Sequence, residues 1–338
     1  MKERIHRRIS EARPLSGEHV CPLLSVAMVN YNNVGFLESC LQSVMANTTG
    51  LRHEIIVVDN HSSDGSVKLV KQQFPRVRLI ANQRNAGYGR AINQAVAVAR
   101  GEFVLILNED TILLPGAITK TLGFMRARSD AGIVGCRILN PDRSLQGSCR
   151  SFPSVWNYAS ENFFWDRLFP RSRIFGRPYM SYFSYDEVRE VDVVLGAFMM
   201  VRRNLIDCIG MMDERFFMYS DETDFCYRAK QNGWKTYFFP DAVIIHFGGA
   251  STQNHSTDYF IELHRSHHRF VEKHKPAQLP LVKGILFAGL WIRFLIHLNR
   301  LIAAEWKGEG DRSIRSDLHK YGYTLAWYAG ARVRPFWG

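Results

Sequence analysis

Acids gather at two places in this chain in patterns that chemistry can use. FVLILNED, residues 103 to 110, is an unbroken apolar run fit for a fully buried strand, yet it ends on Asn108, Glu109 and Asp110. YSDETDFCYRAK sets Asp221, Glu222 and Asp224 at the start of a helical pattern. Carboxylates cost free energy against a buried edge unless something uses their charge. Two uses fit these residue types. Carboxylate oxygens suit a hard divalent cation such as Mg²⁺ or Mn²⁺, and a carboxylate within hydrogen-bond reach of a hydroxyl can take its proton as a new bond forms. The plain structural reading of the second cluster is strong, because acids in a first helical turn are favoured by the macrodipole, with Ser220 placed as N-cap. Three acids in four residues exceed what a cap needs, and Asp224 is spaced at i,i+4 to orient Arg228. A third group, His246 in VIIHFGG, closes another apolar run before two glycines that permit close backbone approach. Such a histidine serves as a hydrogen-bonded structural residue as readily as a metal ligand.

The elements that must position these groups follow from the pattern. From Pro22 to about Asn140, short apolar runs alternate with helical segments, the signature of β-α-β units around a parallel sheet. LLSVAMVNY reads as a strand, followed by a crossover helix with Leu37, Leu41, Val44 and Met45 on its apolar face. EIIVVDN and VRLIANQ are two more strands, and a helix carrying Ala91, Ala95 and Val98 leads into GEFVLILNED. The four strands end at Asn30, Asn60, Asn82 and Asn108, each in a polar cluster. One such cluster is an ordinary turn. Four on one edge, with acids among them, mark the place where open α/β sheets bind ligands.

Composition narrows the classes. The 338 residues carry a formal charge of +11, which points to an anionic partner such as a nucleic acid, a phosphorylated substrate or a membrane surface. Helix-turn-helix, RRM and zinc patterns are missing, which argues against nucleic acid. A P-loop NTPase needs G-x-x-x-x-G-K-[ST], which the sequence lacks. A dinucleotide fold needs its glycines after the first strand, whereas Gly87-Tyr88-Gly89 follows the third and Ile92 stands at the third glycine position. The six cysteines are irregularly spaced and read as reduced thiols of a cytosolic protein, and residues 1–21 as a flexible basic arm without the apolar core of a signal peptide.

The motifs carry a resemblance. VAMVNYNN, EIIVVDNHSSDGS, RNAGYGRAIN and FVLILNED resemble the nucleotide-sugar-binding half of the family 2 glycosyltransferases, which adopt the GT-A fold. VDVVLGAFMMVRR, MDERFFMYSDETDFCYRAKQNGW and VIIHFGGAS extend the likeness, closest to the rhamnosyltransferase branch, over about residues 23 to 252. The resemblance implies an α/β GT-A domain with a mostly parallel central sheet over residues 22–255. It implies transfer, with inversion, from a dTDP- or UDP-sugar, above all dTDP-L-rhamnose, to a lipid-linked saccharide in cell-surface polysaccharide assembly. Galactofuranose, glucose or N-acetylglucosamine donors are the nearest alternatives, and a non-catalytic scaffold the most distant.

The family's D-x-D-like triplet falls on Asn108-Glu109-Asp110, which implies Mn²⁺ or Mg²⁺ on Asp110, with His246 as a second ligand. Asn108 departs from the first Asp, so it is assigned with Glu109 to the nucleotide sugar. Tyr31 and Asp59 are expected at the base, and Asn85, Gly87 and Arg90 near the ribose and diphosphate; Asp64 ranks lower as a helix cap. The general base falls on Glu222, where the family usually has Asp, with Asp221 in reserve.

Two further segments are read from the residues. The aromatic and basic excursion 141–190 is either a local core or an acceptor-binding region. In the C-terminal helical region, 256–338, residues 281–304 form an apolar helix on which Lys283, Arg293, His297 and Arg300 share one stripe about 100° wide. That pattern is expected of an interfacial helix at the cytoplasmic face of a membrane, though a single span or a helix packed on the catalytic domain fits the same residues.

Overall fold

The computed structural model describes residues 22–248, 256–306 and 312–331. The basic arm expected over residues 1–21, with Cys21, lies outside the described residues, as does the second glycine of VIIHFGG. Strands β1 (Leu24–Asn30), β2 (His53–Asp59), β3 (Arg78–Ala81) and β4 (Phe103–Asn108) pair in parallel in the order β3-β2-β1-β4, joined by helices α1 (Val34–Asn47), α2 (Ser66–Gln73) and α3 (Tyr88–Val98). All of β1 and all of β4 except Asn108 are buried, as continuous apolar strands between layers require. The apolar face of α1 is rotated slightly from expectation: Met45 is exposed, and Cys40 is buried beside Leu37, Leu41 and Val44.

Beyond the acids of NED the chain resumes as a short strand, β5 (Thr111–Leu113), that the apolar pattern did not announce. It is followed by α4 (Ala117–Ala127), β6 (Ala131–Leu139), β7 (Leu145–Gln146), β8 (Cys149–Arg150), α5 (Val155–Asn162) and α6 (Trp165–Leu168). Next come β9 (Arg189–Val191), β10 (Val193–Val194), β11 (Phe198–Arg202), α7 (Arg203–Ile209), α8 (Asp221–Gln231) and β12 (Lys235–His246). The sheet runs β3-β2-β1-β4-β11-β6-β12-β5, with β7 on β6 and β9 on β12, while β8 and β10 form a separate ribbon. β11 lies antiparallel between β4 and β6, and β6 and β12 are parallel to each other. The five cysteines among the described residues are free.

Three helices complete the chain: α9 (Ser256–His274), α10 (Leu279–Trp306) and α11 (Arg312–Tyr328). The stretch Pro276–Trp306 is long and apolar enough to cross a membrane. Its basic stripe does not face outward as one cationic surface. Val282, Leu286, Gly289 and Leu290 are buried on the same side as Arg293 and His297. The Arg293 guanidinium donates to the Glu161 and Asn162 carbonyls at the end of α5, and His297 lies 3.5 Å from Asp317 on α11. A cation on the last carbonyls of a helix satisfies groups that have no partner within it. Leu281, Trp291, Leu295 and Ile302 are exposed on one stripe of α10 about 80° wide, with Asn299 at its edge, while Lys283, Arg300 and Glu305 are exposed elsewhere on the helix.

Candidate active site

A cavity of about 340 Å³ opens at the carboxyl ends of β1, β2 and β4, lined by Tyr31, Asn60, Asn85, Gly87, Tyr88 and the whole Asn108-Glu109-Asp110 triplet. The same space is lined by Asp221, Glu222, His246 and Tyr259. Four carboxyl groups and a histidine thus line one space, and among the described residues no lysine or arginine lines it.

The register of the sheet brings Asp110 and His246 together from 136 positions apart in the chain. β5 pairs antiparallel with β12 so that Thr111 sits opposite His246, and the Phe247 N–H donates to the Asp110 carbonyl at 3.0 Å. His246 Nε2 then lies 3.3 Å from Asp110 Oδ1, an oxygen with no hydrogen-bond partner in the protein. The other ring nitrogen, Nδ1, is 2.7 Å from Gln146 Oε1 on β7. The Gln146 amide nitrogen donates to Asn140 Oδ1, which turns its oxygen towards the ring. Nδ1 therefore carries the proton in the neutral ring, and Nε2 presents a lone pair to a carboxylate oxygen. Two acceptors facing each other at this distance fit a bound cation, and an oriented Nδ1–H is the usual support for a metal-binding imidazole. Among the described residues no group of three or more His, Cys, Asp or Glu could hold a metal, so these two would share it with oxygens from elsewhere. After His246, Gly248 serves through its φ of +64°; a Cβ there would meet only ordinary contacts.

The remaining members of the triplet are held by neighbours. Asn33 donates to Glu109 Oε1 at 2.8 Å, and Asn108 Oδ1 accepts from the Tyr88 hydroxyl at 3.3 Å. Burial, then Asp221, Glu109, Glu222 and Asp110 in turn, raise the Tyr88 phenol well above its ordinary range, so it remains a donor. Gly87 has φ +83°, and a Cβ there would come within 2.7 Å of the Phe217 ring. The RNAGYG turn must therefore be glycine at this position to pack beneath the loop that carries the second acidic cluster.

That loop enters α8 through two consecutive residues in the left-handed region, Tyr219 (φ +65°) and Ser220 (φ +59°). Ser220 occupies the N-cap position as expected, but its side chain makes no capping hydrogen bond. Strained backbone of this kind persists where surrounding contacts over-determine it. Those contacts come from Asp224, fully buried, which accepts from Arg228 at 2.8 Å, Lys273 at 2.6 Å and His274 at 2.7 Å. Burial pushes its carboxyl up, but these three partners outweigh burial and hold it below the usual range. Asp221 is the opposite case. It is buried, its Oδ2 has no partner, and burial followed by the charge of Glu222 pushes it well above the usual carboxylate range. Burial and the neighbouring charge favour the protonated form of Asp221, which makes it the poorer proton acceptor of the pair.

Two expected nucleotide contacts stand elsewhere. Asp59 is buried beside the cavity, its oxygens occupied by Asn30 Nδ2 and the Ser62 N–H, both at 2.9 Å. Arg90 points to the surface and pairs with Glu214 at 2.9 Å. Asp64 accepts from the Val34 and Ser66 N–H groups, capping the starts of α1 and α2, the role expected of it. Asn85 Oδ1 accepts from Asn60 Nδ2 at 2.7 Å, so the ends of β2 and β3 are tied into one wall. Gln146, Tyr88 and Tyr259 were not singled out from the sequence. Gln146 lies 100 positions from His246 in an unremarkable stretch and carries no local signal.

Comparison with known proteins agrees with this geometry. The family model for glycosyl transferase family 2 matches residues 25–210, more than half of the chain, and the chain belongs to that family. It is 28% identical over 267 residues, 74% of this chain and 84% of the relative, to the N-acetylglucosaminyl-diphospho-decaprenol L-rhamnosyltransferase of Mycobacterium tuberculosis. It is 34% identical over 134 residues, 39% of this chain, to the succinoglycan biosynthesis protein ExoO of Rhizobium meliloti. Among solved structures, the mannosyltransferase PcManGT of Pyrobaculum calidifontis, in complex with GDP-Man and Mn²⁺, superposes with a TM-score of 0.51 at 16% identity. The match covers 98% of this chain and 83% of that one. The fold is that of a GT-A glycosyltransferase, and the chain is a glycosyltransferase.

Proposed function

We propose that this enzyme is an inverting, metal-dependent rhamnosyltransferase that moves L-rhamnose from dTDP-L-rhamnose to an N-acetylglucosaminyl diphospho-polyprenol at the cytoplasmic face of a membrane. The likeness to the mycobacterial rhamnosyltransferase over 84% of its length supports the sugar and acceptor classes. The chemistry rests on one observation: Asp110 and His246 sit across a single cavity from Glu222. Glu109, Asp110 and Glu222 line the space and, among the described residues, no lysine or arginine does, so a nucleoside diphosphate entering it calls for a compensating positive charge. Asp110 Oδ1 and His246 Nε2 are the groups that would hold a divalent cation, which would supply that compensation and stabilise the charge developing on the diphosphate. Glu222 accepts the proton of the acceptor hydroxyl as its oxygen bonds to the anomeric carbon, while the bond from that carbon to the diphosphate oxygen breaks and dTDP leaves with the electron pair. A single displacement of this kind inverts the anomeric centre. Tyr88 and Asn108, hydrogen-bonded to each other on the cavity lining, are the polar side chains offered to sugar hydroxyls on this reading. The exposed apolar side of α10 beds on the lipid.

The test is donor hydrolysis over a panel of dTDP-, UDP- and GDP-sugars with Mn²⁺, Mg²⁺ or EDTA. The expected result is slow release of dTDP from dTDP-rhamnose that requires metal. Faster hydrolysis of a UDP-sugar would replace the donor, and hydrolysis undiminished in EDTA would remove the metal.

A further inference from the structure

The segment that follows α5 is closed by contacts of its own and still leaves its outer side uncovered. Where α5 gives way to α6, Phe164 stands in the left-handed region at φ +63°, a conformation that costs a bulky residue free energy. Trp165 packs against Trp156 and Phe163 with ring centroids 5.6 and 5.5 Å apart, and Phe175 closes on Trp156 at 5.7 Å. The Trp156 indole donates to the Ile174 carbonyl at 3.0 Å, and the Ser160 and Ser181 hydroxyls donate to the Phe175 and Pro170 carbonyls at 2.7 and 2.6 Å. An aromatic knot and three tied carbonyls thus fix the shape of this loop.

Its outward residues are of two kinds. Leu168, Phe169 and Ile174 are 67%, 53% and 61% exposed, so the fold holds three large apolar side chains out in water. Arg167, Arg171, Arg173 and Arg177 are exposed among them, and the one acid between residues 162 and 182, Asp166, is buried. A fixed apolar patch of this kind marks an interaction surface. The charge says with what. Four arginines without an exposed acid among them call for an anionic partner, and a lipid leaflet offers both halves: phosphate headgroups for the guanidinium forks and acyl chains for the apolar side chains. The position of the loop agrees. The stretch Pro276–Trp306, long and apolar enough to cross a membrane, meets its root through Arg293, which donates to Asn162 Oδ1 at 3.2 Å and lies 4.7 Å over the Phe164 ring.

We infer that residues 167–177 form a second lipid-contacting element, which seats Leu168, Phe169 and Ile174 among acyl chains and selects anionic headgroups through its four arginines. The inference rests on the reading of the protein as an enzyme at a membrane surface and adds a lipid preference that the apolar stripe of α10 cannot supply.

The experiment floats the full chain, diluted out of detergent, with vesicles of phosphatidylcholine alone or of phosphatidylcholine with about one-third phosphatidylglycerol. Wild type should bind the anionic vesicles about a hundredfold more tightly at low salt, and the preference should shrink as salt rises. Replacing both Arg171→Ala and Arg173→Ala should remove about thirtyfold of the affinity for anionic vesicles and leave that for neutral ones unchanged. Leu168→Ser should weaken binding to both kinds by about tenfold. These side chains are exposed, so Tm should hold in every variant. Equal affinity of wild type for the two vesicles, or a wild-type preference in the double arginine variant, would overturn the assignment. Binding to neither vesicle, with a dimer in solution that Leu168→Ser dissolves, would give the surface to a second copy of the chain and overturn it as well. Donor hydrolysis in detergent should be the same in wild type and these variants. If no nucleotide sugar is hydrolysed at all, the proposed function falls, yet flotation still decides whether this loop meets anionic lipid.

Discussion

The acids at the end of β4 and those at the start of α8 face the same space but are held in opposite ways. Asp110 leaves an oxygen unpartnered opposite His246 Nε2, an opening that the proposed cation would complete. In the helix-start cluster Asp224 gathers Arg228, Lys273 and His274, while Asp221 keeps one oxygen unpartnered and meets the local excess of negative charge with a raised pKa. One edge is built to receive charge and the other to hold a carboxylate still. Clusters of similar composition therefore have different work, and variants on the two sides should separate cleanly.

The largest effect is expected at Glu222. Glu222→Gln should lower kcat by about 10² to 10⁴ with the nucleotide Kd unchanged, because a general base acts on the acceptor. Should Asp221→Asn abolish turnover while Glu222→Gln keeps it, the base belongs to the neighbouring residue. On the opposite wall the loss should appear in binding. Asp110→Ala and His246→Ala should each weaken dTDP binding by about 10²-fold in Mn²⁺ and change it little in EDTA. Gln146→Leu, which touches only the far side of the imidazole, should cost about tenfold in metal affinity. Equal losses with and without metal would erase the distinction between the two walls.

Asp224→Asn should act on folding. Removing one member of a buried charge network costs about 3–5 kcal/mol, read as a lower midpoint in urea. The smallest effect is the most diagnostic. A carboxyl whose pKa is raised by folding binds its proton more tightly in the folded chain, so its contribution to stability declines as pH climbs from the unfolded value of about 3.9 through the folded one. Asp221→Asn should therefore raise Tm at pH 8 by about 2–4 °C and leave it unchanged near pH 4. A gain at both pH values would locate the effect in packing.

What could be read from the sequence divides along the same line. Four parallel strands, their shared polar edge, the acids that end β4 and the Asp224–Arg228 pair were all legible, because period, turn chemistry and i,i+4 spacing are short-range signals, whereas the role of Glu222 came only from resemblance. β5 was hidden, since three residues give no period, and with it went the ladder that seats His246 beside Asp110. Gln146 was illegible for the same reason. Asp59 and Arg90 could be placed by motif but not by contact; Asn30 and Ser62 take up the one and Glu214 the other. The basic stripe of α10 was legible as a stripe, but its direction was not. Helical spacing fixes which residues share a face, and only tertiary partners such as the end of α5 decide which way that face turns.

The clasp of Arg293 on the last carbonyls of α5 has a kinetic consequence. α5 also carries Asn157, Tyr158 and Glu161, so the helix proposed to rest on lipid is fastened to residues lining a cavity that Glu222 shares. An enzyme and a substrate confined to one leaflet meet by lateral diffusion in two dimensions. The saturation curve for a polyprenyl acceptor would then follow its mole fraction in the bilayer rather than its amount per millilitre, and diluting the membrane with inert lipid would slow turnover while adding buffer would not.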